Sequence, residues 1–179
     1  TNMVIGPTPN NKEGKILSAR GCPFDCAFCA QAAVSKRRMR YKTVERVVVE
    51  IKFLNSRYGC DRIYFNDDTF IVDDKRVVKL CAALKEIHEQ GILYDWHCLT
   101  RADRTDPELF RIMYESGCRQ LTYGIETGSQ KILDIIEKQT TVEENINAIK
   151  IAKAAGLKVR AQMIVGLPGE TDETVEETA

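Results

Sequence analysis

Apolar and polar residues follow one repeated order along most of the chain. A stretch with helical periodicity ends at a glycine, and an apolar or β-branched run follows within a few residues; this occurs at Gly59, Gly91, Gly117 and Gly156. Glycine readily adopts the left-handed conformation that ends many helices. We therefore predict that each of these glycines is a helix C-cap that leads into a strand.

The same pattern predicts strands that alternate with amphipathic helices. The predicted strands are residues 15–19, 61–66, 93–100, 119–124 and 158–166. The predicted helices are residues 43–58, 73–90, 106–116 and 142–155, several of which begin at a Thr or Asp suited to an N-cap. This alternation indicates an α/β fold with a parallel sheet and right-handed crossovers, either open or curled into a barrel. Catalytic groups are then expected where strands run into helices.

The two ends of the chain differ from this core. Residues 1–14 contain Pro7 and Pro9 with several Gly and Asn, and we interpret them as a linker from an upstream region. Residues 15–179 are expected to form the core domain. The acidic stretch 170–177 is typical of the start of another helix, so the core is expected to be a fragment truncated at its C-terminus.

Composition narrows the class of protein. With 179 residues, 44% hydrophobic and 29% charged, the chain suits one globular domain with a real core. Lys plus Arg and Asp plus Glu both number 26, and the only dense basic cluster is residues 36–40, so a nucleic-acid substrate is unsupported. No apolar run approaches the roughly 18 residues of a membrane span, and no signal peptide opens the sequence, so we expect a cytoplasmic protein.

The cysteines carry the strongest chemical signal. Cys22, Cys26 and Cys29 lie in the segment RGCPFDCAFCAQ, a CxxxCxxC arrangement directly after the first predicted strand. Crowding of three of the seven cysteines into eight residues favours a cluster of reduced thiols over a disulfide framework. Structural zinc usually takes four protein ligands, often from two CxxC pairs, whereas three thiolates on a 4Fe-4S cluster leave one iron open.

The cysteine spacing, with the aromatic Phe28 immediately before the last Cys, resembles the signature of the radical S-adenosylmethionine (radical SAM) superfamily. The resemblance implies a 4Fe-4S cluster on the three cysteines, with S-adenosylmethionine bound at the open iron. It also implies a one-electron donor such as flavodoxin or ferredoxin, and reductive cleavage of the cofactor to a 5'-deoxyadenosyl radical. The implied fold is a partial (β/α)6 TIM-like barrel, of which this chain would supply about five βα units.

Polar side chains at strand ends extend the resemblance to the cofactor site. Asp67 and Asp68 follow the second predicted strand, where the superfamily receives the methionyl amine, although a solvated turn explains them too. Glu126 resembles the ribose-contacting position, with complementation of a helix dipole as the alternative. Arg101 is expected to pair with a cofactor or substrate carboxylate, with Lys153 as its rival; a surface ion pair to an aspartate is the other reading of Arg101.

Apolar residues complete the implied cofactor site. The adenine contact is expected to be shared among Phe28, Ile164 and Leu167, and the last two follow equally from a buried strand and a tight turn. The remaining cysteines, Cys60, Cys81, Cys98 and Cys118, are expected to pack without chemistry.

Within the superfamily, the segments DDTF, YGIETGS and QKILDIIEKQTT look closest to the cobalamin-associated branch. That branch implies a methyltransferase or a cyclase that receives cobalamin through an upstream domain, with the substrate left open. A methylthiotransferase acting on tRNA or protein stays as an alternative. So does a non-catalytic iron-sulfur or zinc binding module.

Overall fold

Five parallel strands form the centre of the molecule in the computed structural model, which describes Val4–Ile5 and residues 12–179. The strands are β1 (Val4–Ile5), β2 (Glu13–Ile16), β3 (Ala19–Arg20), β4 (Arg40–Tyr41), β5 (Arg62–Phe65), β6 (Asp95–Thr100), β7 (Cys118–Glu126) and β8 (Lys158–Met163). The helices are α1 (Gln31–Ser35), α2 (Val44–Tyr58), α3 (Asp74–Glu89), α4 (Pro107–Glu115), α5 (Gln130–Ile135), α6 (Val142–Ala154) and α7 (Asp172–Glu176).

The sheet order is β1-β2-β5-β6-β7-β8, with β2 and the four strands after it in parallel register and β1 antiparallel at one edge. The predicted parallel sheet is thus confirmed, as an open curved sheet in which β8 forms the other edge. The β3–β4 hairpin, α1 and α5 were not predicted, because elements this short carry too few residues to show a period. Of the predicted linker, residues 1–3 and 6–11 lie outside the described residues.

Side-chain caps begin the long helices where the sequence predicted them. Thr43, Asp73, Asp106 and Thr141 each accept a hydrogen bond from a backbone N–H in the first turn. At the other end of α2, Gly59 has φ +70° and its N–H donates to the carbonyls of the last turn. These caps satisfy backbone groups that the helix itself leaves unpaired, which fixes where each helix starts and stops.

The helices cover one face of the sheet and form the core with it. Phe65, Phe70 and Trp96 meet there, and the Trp96 indole N–H donates to the Ser116 carbonyl at 3.0 Å. Cys60, Cys81, Cys98 and Cys118 are buried in the same core. Burial raises the pKa of the thiols of Cys98 and Cys118 well above its ordinary value, which keeps them protonated and chemically quiet.

The other face of the sheet is concave and polar. On it, His97 Nε2 lies 2.7 Å from a Glu13 carboxylate oxygen, and the His97 ring stacks on Tyr64. A cavity of about 540 Å³ opens at the amino ends of the strands, lined by His97 and Glu13 and by Arg62, Arg119 and Lys158 among others. It lies at the end of the sheet opposite to the cysteines. No helix among the described residues is long and apolar enough to cross a membrane.

Candidate functional site

The cysteine loop runs from the end of β3 to the start of α1, at the carboxyl ends of the parallel strands. Cys22 and Cys26 are half-buried, Cys29 is exposed, and all three thiols are free of disulfides. Partial burial raises the pKa of the Cys22 thiol above its ordinary value. The Ala27 N–H donates to the Ile136 carbonyl at 2.9 Å, which ties the middle of the loop to the end of α5. The site is therefore assembled from segments distant in sequence.

Asp67 and Asp68 lie just after β5 and accept hydrogen bonds from residues just before the first cysteine. Asp67 is buried and accepts hydrogen bonds from the Ser18 N–H at 2.6 Å and the Ser18 hydroxyl at 2.5 Å. Burial raises the pKa of Asp67 to about 6, and the hydrogen bonds from Ser18 oppose that rise. Both Asp67 oxygens thus have partners within the chain, and the expected contact of Asp67 with the cofactor amine stays a prediction.

Asp68 lies closer to the cysteines. It accepts from the Gly21 N–H at 2.9 Å and from the side-chain amide of Gln31, so it joins the start of the cysteine loop to α1. Gln31 Oε1 is buried and has no hydrogen-bond partner among the residues that the structure describes. A half-buried carboxylate beside the cysteine loop can accept from a cationic donor group.

Arg101 fastens the other side of the loop. Its Nε and Nη2 donate to the two carboxylate oxygens of Asp103 at 2.9 and 3.0 Å, and Nη2 also donates to the Lys138 carbonyl at 2.7 Å. Nη1 donates to Cys26 Sγ at 3.3 Å, and the guanidinium lies 3.9 Å from the centre of the Phe24 ring. Arg101 is only 5% exposed. Arg101 thus pairs with Asp103, as the alternative reading expected, but in a buried position and not at the surface. Its contact with a cofactor or substrate carboxylate stays a prediction.

Glu126 and Lys138 form a buried ion pair at the end of β7. The carboxylate accepts from Lys138 Nζ at 2.6 Å, and both side chains are less than a tenth exposed. Glu126 has φ +69°, and the register between β7 and β8 shifts beside it. A Cβ on Gly124 would lie 2.5 Å from the Glu126 oxygen, so a larger residue there would displace this carboxylate. A strained, buried carboxylate at a strand end is typical of functional sites.

Sequence reasoning missed Lys138. It lies in the segment QKILDIIEKQTT, between α5 and α6, and nothing in its spacing assigns it to Glu126. Its ammonium group also lies 5.5 Å from the centre of the Phe28 ring, which is 38% exposed. The loop after α5 thus contributes a charged side chain to the ion pair and a carbonyl to Arg101.

The apolar candidates lie beside this pair, with one expected cation elsewhere. The Ile164 N–H donates to the Glu126 carbonyl at 2.9 Å, and Ile164 and Leu167 pack in a small apolar cluster with Ile132 and Ile136. Lys153 is different: it is exposed in the last turn of α6, just before β8 begins, and therefore lies by the amino ends of the strands. The expected contact between Lys153 and the cofactor stays a prediction, which this position does not favour.

The candidate site combines free thiols with acceptors and apolar surface. Among the described residues, no three His, Cys, Asp or Glu side chains are arranged to hold a single metal ion. An assignment of the cysteines therefore depends on their spacing and on family membership. Around them, the chain offers Asp68, Glu126 and the exposed part of the Phe28 ring.

The fold and the site define a class: α/β proteins whose parallel strands present a cysteine loop at their carboxyl ends. The chain belongs to the radical SAM superfamily, whose family model matches residues 16–179. Enzymes of this family use a 4Fe-4S cluster and S-adenosylmethionine.

Individual relatives agree with this membership. The chain is 36% identical over 165 residues to an uncharacterized methyltransferase of Pyrococcus horikoshii. The matched region covers 92% of this chain and 35% of that relative. It is 33% identical over 171 residues to the anaerobic magnesium-protoporphyrin IX monomethyl ester cyclase of Rubrivivax gelatinosus, covering 95% of this chain and 30% of the cyclase. The chain thus spans about a third of the length of these relatives.

The fold is also similar to that of a solved radical SAM methyltransferase. The structure of TsrM from Kitasatospora setae, with cobalamin and a 4Fe-4S cluster bound, superposes with a TM-score of 0.80 at 20% identity, covering 92% of this chain and 33% of TsrM. At this identity the comparison shows the fold, a partial barrel of the radical SAM type.

Proposed function

We propose that this chain is the catalytic core of a radical SAM enzyme in which Cys22, Cys26 and Cys29 bind a 4Fe-4S cluster. The observation that carries the proposal is the cysteine loop itself. Its thiols are free, it lies at the carboxyl ends of a parallel sheet, and Asp68 and Arg101 hold it from two sides. A loop fixed by other elements suits a centre that must keep three ligands in one geometry.

The donor set fits the implied group. Thiolates are the ligands that iron-sulfur clusters take, and three of them leave one iron for the amine and carboxylate of S-adenosylmethionine. The Arg101 N–H at Cys26 Sγ offsets the negative charge that a bound thiolate carries. When bound, the cluster and cofactor supply one-electron cleavage of the sulfonium to methionine and a 5'-deoxyadenosyl radical, which abstracts hydrogen from a substrate.

The chain's own residues then bind and orient the cofactor. Asp68, next to the start of the cysteine loop, accepts from the methionyl ammonium group. Glu126, held by Lys138, accepts from the ribose hydroxyls. Phe28 presents apolar surface to the adenine from one side, and Ile164 and Leu167 from another. Arg101 and Asp67 also position the loop through their contacts within the chain.

The reaction class that we propose for the whole enzyme is methyl transfer or cyclisation assisted by cobalamin. The similarity to a methyltransferase, to a cyclase and to the cobalamin-binding TsrM supports it. Cobalamin would be held by a further domain, and the electron would come from flavodoxin or ferredoxin. Because the cluster needs reduced thiols, we place the enzyme in the cytoplasm.

Anaerobic reconstitution with iron and sulfide, followed by electron paramagnetic resonance of the reduced protein, tests the proposal. We expect a 4Fe-4S signal that changes when S-adenosylmethionine is added, and 5'-deoxyadenosine among the products. Cys26→Ala should lose the signal, whereas Cys60→Ala, at a buried core cysteine, should keep it.

Two results would contradict the proposal in different ways. A cluster that ignores S-adenosylmethionine would indicate an iron-sulfur binding module. A cluster retained in Cys26→Ala would mean that the ligands lie elsewhere.

A further inference from the structure

Basic side chains gather on one surface beside the cysteine loop, although the chain as a whole has equal numbers of basic and acidic residues. We call this the basic hairpin surface; it consists of the β3–β4 hairpin and the end of α1, with Arg20, Lys36, Arg37, Arg38, Arg40 and Lys42. Arg37 pairs with Asp25, and Lys42 pairs with Glu50. Arg20, Lys36, Arg38 and Arg40 are exposed and form no ion pair with any residue that the structure describes.

Like charges lie close together on the β3–β4 hairpin, which lowers the stability of the hairpin. Arg20 and Arg40 are direct partners across the antiparallel β3–β4 pair. Like charges directly opposite in a sheet repel and destabilise it. Lys36 and Arg37 both have positive φ, so the backbone is also strained where it leaves α1. A surface that accumulates positive charge in this way is well suited to a negatively charged partner.

The surface also has the composition of a protein interface. A concavity of about 340 Å³ is lined by Leu17, Ala19 and the Tyr41 ring, with Arg20, Arg40 and Lys42 around it. The Tyr41 ring is 40% exposed and packs on the Arg76 guanidinium at 4.7 Å, which fixes its orientation. Aromatic and Arg side chains around a small apolar centre are enriched at protein interfaces.

Direct contacts connect this surface to the first cysteine. Arg20 lies two residues before Cys22, and the Arg38 carbonyl packs so closely on Gly21 that a Cβ there would overlap it. The Arg38 N–H donates to the Ser35 carbonyl at 3.1 Å, and the Ser35 hydroxyl contacts the Cys22 carbonyl at 3.5 Å. A partner bound on the basic hairpin surface would therefore be close in space to Cys22.

We infer that the basic hairpin surface is the docking site for an acidic one-electron carrier protein, which delivers its electron through the Cys22 side of the cluster. The inference rests on the proposed function, because it needs the cluster as the electron acceptor. One electron leaves the flavodoxin hydroquinone anion, which becomes the neutral semiquinone, and reduces the oxidised cluster by one electron. An RNA partner is disfavoured because the basic residues are confined to one hairpin and one helix end.

Stopped-flow reduction of the cluster-loaded chain by flavodoxin hydroquinone tests this inference. In Arg38→Glu/Arg40→Glu, we expect the bimolecular rate constant at low ionic strength to fall about tenfold or more, with a weaker dependence on salt. Binding of oxidised flavodoxin, measured by thermophoresis, should weaken in parallel. The matched control Lys52→Glu/Lys79→Glu makes the same charge change on the exposed faces of α2 and α3 and should leave both values within about twofold.

Reduction by dithionite separates this inference from the proposed function. Dithionite needs no docking surface, so it should reduce the double variant and the wild type at equal rates. If dithionite yields no cluster signal responsive to S-adenosylmethionine in the wild type, the proposed function fails. If that signal is normal but flavodoxin reduces and binds the double variant as it does the wild type, only the docking inference is overturned. Retardation of tRNA lost in the same variant, with unchanged flavodoxin rates, would overturn it in favour of RNA.

Discussion

At the scale of single residues, two buried cations organise the site. Lys138 pairs with Glu126, and Arg101 joins Asp103, Cys26 and the Lys138 carbonyl. A buried charge is costly unless it is paired and hydrogen-bonded. Arg101 meets this condition with partners from three segments, and Lys138 is paired with Glu126 and lies near the Phe28 ring. Both cations therefore connect separate segments.

Loss of Lys138 should destabilise the fold. Lys138→Met leaves the Glu126 carboxylate buried without its cation, and we expect the free energy of unfolding in urea to fall by about 3–5 kcal/mol. The double variant Lys138→Met/Glu126→Gln should recover much of this loss, since no uncompensated charge remains. Lys85→Met, which breaks an exposed ion pair with Glu115, should change stability little. A double variant as unstable as the single one would contradict the charge argument.

Arg101→Lys should loosen the cysteine loop while keeping the charge. A lysine cannot reproduce the planar set of donors that reaches Asp103, Lys138 and Cys26 together. We expect iron to be retained about tenfold more weakly, and the midpoint potential of the cluster to fall because a hydrogen bond to sulfur is lost. Iron content after dialysis and a redox titration measure both. Arg62→Lys, at the paired arginine of β5, is the control and should leave both values unchanged.

At the scale of elements, the carboxyl end of β5 is fastened to the end of β2. Asp67, just after β5, accepts from the N–H and hydroxyl of Ser18, just after β2. Asp68, the next residue, accepts a hydrogen bond from the Gly21 N–H. The two aspartates therefore connect adjacent strand ends before the cysteine loop begins, so the loop starts from a fixed point.

Asp67 should make stability depend on pH. Its pKa rises from 3.8 to about 6 in the folded protein, because burial disfavours the charged form. The folded state binds the proton more tightly, so the free energy of unfolding should fall as pH rises from about 4 to about 6, by up to about 3 kcal/mol. Urea unfolding across this range measures it. Asp67→Asn should lose that part of the fall and Asp68→Asn should keep it; equal curves for wild type and Asp67→Asn would contradict the assignment.

At the scale of the whole molecule, the sheet is open and β8 is its edge strand. Most side chains of β8 are exposed, and the apolar Val165 just beyond it is 84% exposed. An exposed edge with unpaired backbone groups is a template for pairing with another chain. On the concave face of the sheet, the side chains of His97 and Glu13 are partly exposed to solvent.

This edge predicts self-association of the 179-residue chain. Light scattering should show a mass that rises with protein concentration, and Val165→Lys should reduce the rise because a charge beside the edge disfavours pairing. Val34→Lys is the matched control, since Val34 is 73% exposed on α1, away from the edge. A monodisperse monomer at all concentrations would contradict the prediction.

The sequence by itself determined the order of the five parallel strands and of the long helices between them. Thr43, Asp73 and Asp106 cap helices, Gly59 ends one, and these signals work locally because a cap needs only its own first or last turn. The cysteine spacing likewise indicated the family through its resemblance to the radical SAM signature, because that signature lies within one short segment. Cys60, Cys81, Cys98 and Cys118, which were expected to pack without chemistry, are all buried; Cys60 and Cys118 follow the glycines that end helices, and Cys81 lies on a helix.

The tertiary structure alone decided which charged side chains meet. Three sets of contacts join segments that the local pattern treats separately. Glu126 pairs with Lys138, Arg101 contacts four partners, and Ser18 donates to Asp67. Lys153 does not meet the other charged residues of the site. It lies in the last turn of α6, just before β8, and therefore at the end of the sheet opposite to the cysteines. The physical reason is that hydrophobic periodicity fixes the face on which a residue lies, whereas hydrogen bonds between charged groups depend on the three-dimensional packing of all the elements.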